Sequence, residues 1–380
     1  MKIAAIIAEY NPFHYGHEYQ IECLRKKYDG IVAIMSGNFV QRGGFAVRDK
    51  WTRAKTALLG GVDLVIELPV EYAVNTAERF AAGGVAVADG MGVVNALCFG
   101  SEEGDIQKFH AAAQIMNDEP PHVSEKIAQG LKQGLSYPAA RCAAYEGTVK
   151  KELLQKPNNI LGLEYVRALQ KLGSGIVPET IKRIGAEYND TEHCGKFSSA
   201  AAIRRLMGEG ADFEKNVPRH VHEILMKSTG FEDEKLTNLL KYAVLSGGKE
   251  YVAQINDVGE GLENKIVKAV RSERTFDDIA GSIKSKRYTM SRIRRILFSV
   301  VLDIEKEYRA PEYIRVLGMN GTGKEILKQM KDNAKLPVVV KAADFSSPLF
   351  EKDIFATDTA YICSQNPVCG MDYVTSPVII

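Results

Sequence analysis

Ile3-Ala4-Ala5-Ile6-Ile7-Ala8, followed by Glu9-Tyr10-Asn11-Pro12-Phe13-His14-Tyr15-Gly16-His17, is the stretch on which the reading of this chain turns. The apolar run carries no polar alternation, as in a strand buried on both faces. Asn11-Pro12 ends it in a turn. A helix starting near Gly16 then brings His14 and His17, three residues apart, to a helix N-terminus. Unpaired N–H groups and the helix dipole favour anions there. Imidazoles in that place, neutral or protonated, donate hydrogen bonds to phosphate oxygens as charge builds on an attacked phosphorus. Gly16 allows close backbone approach to a nucleotide. Two histidines at this spacing also occur as partial metal ligands or plain surface residues; the strand before and the helix after favour the phosphate site.

Further apolar runs at Ile31–Met35, Leu64–Leu68 and Val93–Phe99 predict strands about every thirty residues. Amphipathic helical patterns lie between them: Ile21, Leu24 and Tyr28 share one face, and Trp51, Ala54 and Leu58 another. The expected fold class is α/β, a Rossmann-like parallel sheet covered on both sides. Such sheets bind ligands at the carboxyl ends of their strands. His14 and His17 follow the first strand, Ser36-Gly37-Asn38 the second and Gly100-Ser101-Glu102 the fourth, so all three loops should open on one edge.

At these residues the chain resembles the HxGH nucleotidylyltransferase superfamily and, more narrowly, the bacterial tRNA(Met) cytidine acetate ligase family. The matching blocks are Glu9–His17, Ser36–Gly43, Asp49–Ala54, Asp63–Pro69, Phe99–Glu102, Pro157–Gly162 and Ile181–Arg183. The resemblance runs through essentially the whole chain. It implies ATP-dependent activation of acetate as acetyl-adenylate, then acetyl transfer to the wobble cytidine of elongator tRNA(Met). It further implies that His14 and His17 are catalytic. ATP contacts would come from Ile7, Ala8, Glu9, Tyr10, Asn11, Pro12, Phe13, His14, Gly16, His17, Gln20, Gly100, Asn158, Asn159 and Arg183, with Mg2+ accompanying the nucleotide. Asn158-Asn159 also reads as a helix cap and Arg183 as a surface ion pair. Ser198–Arg204 is similar to the second superfamily signature, although Ala201 stands where a Thr is usual; a plain capped helix is the other reading.

The 380 residues, 45% of them hydrophobic, can build two cores. We expect a nucleotidyltransferase domain over 1–207 and a mainly helical, tRNA-binding domain over 208–380, where Gly208, Gly210 and Pro218 interrupt the pattern. Net charge is +1, so nucleic-acid affinity is not legible in the total. Between Asp278 and Asp303 no acid occurs, while Lys286, Arg287, Arg292, Arg294 and Arg295 do; the segment predicts a phosphate track, with a solvated helix face as the alternative. No run reaches bilayer length and no signal peptide is apparent, so a cytoplasmic protein is expected. Six cysteines lack CxxC spacing, and His193-Cys194 has no further ligands nearby, so no metal site is expected.

The Gly37–Gly44 loop is polar and glycine-flanked, and is read as functional rather than as an ordinary connection. Gly318–Lys324 has P-loop spacing, but Glu325 replaces the magnesium-binding Ser or Thr, and a glycine-rich loop before a helix from Glu325 is the better reading. Two other functions stay open at this point: an adenylyltransferase acting on a small phosphorylated metabolite, and a tRNA-binding protein with a vestigial ATP pocket.

Overall fold

The computed structural model describes residues 1–183, 198–259 and 261–380; His193 and Cys194 lie outside them. The first strand is Ile3–Ala8, paired in parallel with Gly30–Ser36 on one side and Ala96–Ser101 on the other. Leu64–Leu68 adds outside Gly30–Ser36, and Val177–Lys182 outside Ala96–Ser101, again in parallel. The chain therefore moves outward through three strands and then returns past its first strand to lay down the fourth. That reversal makes a crevice at the carboxyl ends of Ile3–Ala8 and Ala96–Ser101, the usual ligand position in such sheets. The fourth strand starts later than Val93. Asn95 instead closes a loop on the first strand, with its side-chain oxygen accepting from Ile3 N at 2.7 Å and its N–H donating to Ile3 O at 2.9 Å. Val93 and Val94 pack against the core from that loop.

Val177–Lys182 was not predicted as a strand, and neither was a further strand at the other side of the sheet. Ile314–Met319 runs antiparallel to Leu64–Leu68, with Val338–Val339 and Val378–Ile379 paired to it. Arg315 and Gly318 break its apolar run, which hid it in the sequence. The sheet is thus mixed and draws strands from both sides of the 207/208 line. The mainly helical module is built from Asp233–Gln254, Leu262–Ser272, Phe276–Ile283 and Met290–Val301. Leu236, Leu240, Val244, Ile293, Ile296, Leu297 and Val300, recurring at helical spacing, form its core together with Phe39, Val70 and Val74. Those last three follow the carboxyl ends of two sheet strands, so the module sits on the same edge as the crevice.

The Gly37–Gly44 loop makes that junction. It contains a short hairpin, Phe39–Val40 against Gly44–Phe45, and the rings of Phe39 and Phe45 lie 5.8 and 5.7 Å from Phe298. Gly43 has φ 75°, and a Cβ there would fall 2.5 Å from the backbone nitrogen of Arg295. Only glycine fits. A second tie is buried: Lys50 Nζ lies 2.8 Å from both Glu67 and Asp372, all three at 5% exposure or less, so it pins the C-terminal segment beneath the sheet edge.

The P-loop-like segment has an ordinary structural role. Asn320 caps the helix Gly321–Asn333 through Gly323 N at 2.9 Å and donates to Asp63 Oδ1 at 2.9 Å. The helix therefore starts at Gly321, not Glu325. Because its strand is antiparallel, Met319 pairs with Leu64, at the amino end of that neighbour. The glycines consequently lie on the opposite edge from the crevice. Among the described residues no helix is long and apolar enough to cross a membrane.

Candidate active site

His14 is the N-cap of the helix Tyr15–Arg25. Its Nδ1 accepts from Gly16 N at 3.0 Å, and His17 Nδ1 accepts from His14 N at 3.3 Å. This is a capping box with imidazoles in place of the usual hydroxyl and carboxamide. Gly16 earns its place here: a Cβ would meet the His14 ring at 2.9 Å. The glycine thus lets the imidazole fold back as a cap, a more specific reason than approach of a nucleotide. Since both Nδ1 atoms accept, the ring protons reside on both Nε2 atoms. The two rings stack at 3.8 Å, and Tyr10 and Phe13 wall His17 at 4.9 and 5.5 Å.

The environment keeps the pair neutral. Loss of hydration, reinforced by the Arg183 charge, pushes the His14 imidazole down to about 4. His17 is driven well below its ordinary value by the same loss of hydration, then by His14 and Arg183. At neutral pH the site therefore offers two N–H donors and the fixed charge of Arg183.

Gly100 and Arg183 complete this group. A Cβ on Gly100 would touch Arg183 Cγ at 3.4 Å, so the arginine stem lies across the glycine. Removal from water lowers the Arg183 pKa, with Glu102 opposing. The two asparagines are held through the same loop. Asn159 Oδ1 accepts from Glu102 N and Glu103 N at 3.0 and 3.1 Å, and its amide donates to Glu152 O at 3.1 Å. Glu102 returns the contact, accepting from Asn158 Nδ2 at 2.7 Å and Asn159 N at 2.9 Å. The asparagines are the second and third residues of the helix Pro157–Leu172, so neither is its cap. Asn159 is buried, and its side chain shapes the loop after Ala96–Ser101. Asn158 keeps its side-chain oxygen for other partners.

The turn itself is braced from behind. Arg53, fully buried, donates to Glu9 O at 2.6 Å and Ser36 O at 2.9 Å and also to Gly37 O, joining the ends of the first two strands. Arg204 donates to Asn11 O at 2.6 Å, and the Asn11 side chain accepts from Val47 N at 2.8 Å. The Asn11–Pro12 bond is cis. Glu9 accepts from Gln41 N at 2.7 Å; burial raises its pKa against that bond and the charges of Arg204, Arg53 and Arg42. Ile7 and Ala8 end the strand beneath this turn, and Gln20 reaches from the helix to Cys98 O at 3.4 Å. Ser199 caps the helix Ala200–Gly208 through Ala202 N at 3.2 Å. Arg53, Arg204 and Glu102 were not assigned roles from sequence, although all three lie inside segments singled out there.

The expected phosphate track is a different case. Arg292 pairs with Asp257 at 3.0 Å, Arg295 approaches the same carboxylate at 3.9 Å, and Arg294 pairs with Asp277. Arg294 Nε also donates to Gly43 O at 2.9 Å. These acids come from other segments, so the helix that looks acid-free in sequence has two carboxylates set against its three arginines in space. Arg287 donates to Leu131 O at 3.2 Å, and Lys286 is exposed. None of the five joins the histidine turn.

The sequence matches the family described as HIGH Nucleotidyl Transferase over residues 1–372. It is 42% identical to the tRNA(Met) cytidine acetate ligase of a Thermoanaerobacter species, with 98% of each chain covered. Against the enzyme of the same name from Clostridium perfringens it is 39% identical over the full length of both. Among solved structures, Thermotoga maritima TmcAL bound with alpha-thio ATP superposes with a TM-score of 0.90, at 36% identity and 100% coverage of both chains. With the histidine turn in the switch-point crevice and similarity extending over the whole length, the chain belongs to the tRNA(Met) cytidine acetate ligase family of HIGH nucleotidyl transferases.

Proposed function

We propose that the chain activates acetate with ATP and transfers the acetyl group to the wobble cytidine of elongator tRNA(Met), working in the cytoplasm where that tRNA resides. An acetate oxygen attacks the α-phosphorus, the bond to the β-phosphate oxygen breaks, and acetyl-adenylate and pyrophosphate form. The cytidine N4 amine then attacks the acyl carbon, AMP leaves, and the nitrogen loses one proton. The observation that carries the first step is the pair of neutral Nε2–H donors beside Arg183 at the sheet's switch point. Such donors act on charge that develops only in the transition state, and one of them is worth about 10²–10³ in rate. Arg183 and Arg204 flank the turn to hold phosphate oxygens, and Gly100 leaves room for the nucleotide against the Arg183 stem. The mixed anhydride is labile, so the aromatic wall of Tyr10 and Phe13 serves to limit water until cytidine, out of its stack, arrives.

Among the described residues no group of three or more His, Cys, Asp or Glu side chains is arranged to hold a metal. Mg2+ would accompany ATP and supply neutralisation of its phosphate charge, beside the cations of Arg183 and Arg204. For tRNA, the exposed Lys286 and the neighbouring Arg287 remain contacts at the module's surface, while Arg292, Arg294 and Arg295 act first as braces.

Incubation with ATP, labelled acetate and a tRNA pool tests the reading. Acetate-dependent pyrophosphate release together with labelled N4-acetylcytidine in tRNA(Met) is expected. Pyrophosphate release indifferent to acetate, but stimulated by a small phosphorylated metabolite, would overturn it.

A further inference from the structure

The helical module carries cations that no acid among the described residues pairs with, and they lie on a different helix from the predicted track. Leu262–Ser272 buries Leu262, Ile266, Ala269 and Val270 on one side. Lys265, Lys268, Arg271 and Arg274, from this helix and the residues just after it, are all exposed. None of them makes an ion pair with a described residue. The half-buried Glu263 and Glu273 border the hollow, Glu263 accepting from Asn264 Nδ2 and Glu273 from Ser272 Oγ, each at 3.1 Å. Neither carboxylate pairs with a cation of this face among the described residues. Asn264, Val267, Lys268, Arg271 and Ser272 line a shallow surface hollow of about 450 Å³.

We infer that this face, centred on Lys268 and Arg271, grips the sugar–phosphate backbone of the tRNA, in place of the arginine stripe on Met290–Val301. The inference rests on the reading of the chain as a tRNA-modifying enzyme. Affinity for nucleic acid comes mainly from cations that exchange condensed counterions for phosphate contacts. An arginine already paired to a carboxylate must first give up that partner, whereas Lys268 and Arg271 lose only water. The location suits the task. The module is anchored to the carboxyl edge through Phe39, Val70 and Val74, so RNA lying along it approaches the edge that holds His14 and His17. Lys265 and Arg274 extend the positive surface to either side.

The test is binding of tRNA(Met) to the intact protein across a salt series, comparing wild type with K268E/R271E. Lys331→Glu is the control; it makes the same kind of charge change at an exposed site of the helix Gly321–Asn333. The double variant should lose at least about tenfold in affinity, and its slope of log affinity against log salt should flatten by about 1.5, the loss of two phosphate contacts. Lys331→Glu should bind as wild type does. Thermal melts verify that all three are folded, as exposed positions allow. Affinity of K268E/R271E within twofold of wild type, with an unchanged slope, would overturn the assignment while leaving the tRNA reading intact. A wild-type protein that retains no tRNA at all would overturn both.

Discussion

The turn Glu9–His17 and the helix Met290–Val301 were both singled out in the sequence for charge chemistry, yet only the turn looks the same in three dimensions. Its chemistry is fixed by neighbours in sequence: His14 caps its own helix, His17 answers to the His14 backbone, and Gly16 makes room for the ring. The helix's charge is decided by Asp257 and Asp277, residues from other elements. Local backbone geometry travels with the sequence. Net electrostatics does not, because a Coulombic partner can come from any segment that folds nearby.

The largest expected effect tests the turn. His14→Ala and His17→Ala should each lower acetate-dependent pyrophosphate release by about 10²–10³ or more, with tRNA affinity held close to wild type. Protonation provides a second check. The His14 value of about 4 lies below the ordinary 6.5, and burial drives that of His17 well below 6.5 as well. As pH falls through 6.5 the unfolded chain takes up these protons first, so the pair costs stability progressively down to about 4 while the folded site stays neutral. Provided the protein remains folded, the rate of adenylate formation should show no limb near 6.5. A clear fall with that midpoint would mean imidazoles hydrated as in free histidine, and the comparison would break on the side of the turn.

Lys50 offers the buried counterpart of a surface ion pair. Replacing it by Met leaves Glu67 and Asp372 in a site closed to water with only Arg315, 3.6 Å from Asp372, as a cation beside them. Loss of one partner from such a cluster costs about 3–5 kcal/mol, to be read by denaturant unfolding. A loss below about 1 kcal/mol would mean that the two carboxylates find other partners or protons at little expense.

How far the sequence reached follows from the same distinction. Ile3–Ala8, Gly30–Ser36, Leu64–Leu68, Ala96–Ser101 and the helix after the first were legible because their apolar periodicity is local, whereas Val177–Lys182, with Glu179 and Lys182 in it, was not. Ile314–Met319 was not, since Arg315 inside a fully buried strand is tolerable only with Asp372 beside it, 57 residues away. The histidines and Gly100 were read on the correct edge. The role of Asn159 was missed because nothing local shows that Glu102 and Glu103 would present their N–H groups to it. Asn159→Ala exposes that hidden layer. It orphans two part-buried donors and an acceptor, costing about 1–3 kcal/mol in stability. If the loop relaxes, ATP affinity should weaken through displacement of Gly100 and Arg183. Weaker ATP binding from Asn158→Ala alone, with Asn159→Ala silent, would instead make Asn158 the direct ligand and leave Asn159 without a role in the site.

The smallest effect falls on the helix with which the comparison began. Arg294 joins an Asp277 that is 79% exposed, and the guanidinium itself is only partly covered, so screening by solvent leaves that pair at about 0–1 kcal/mol. Its bond to Gly43 O adds more, because this contact fixes the hairpin to the module. Arg294→Ala should therefore lower unfolding stability by about 1 kcal/mol and change the salt dependence of tRNA binding very little. Asp277→Ala sharpens the point. It frees the guanidinium without removing it, so if Arg294 has any capacity for phosphate, tRNA affinity should rise rather than fall. A steep loss of tRNA affinity in Arg294→Ala, with stability untouched, would restore the stripe to the role its sequence suggested.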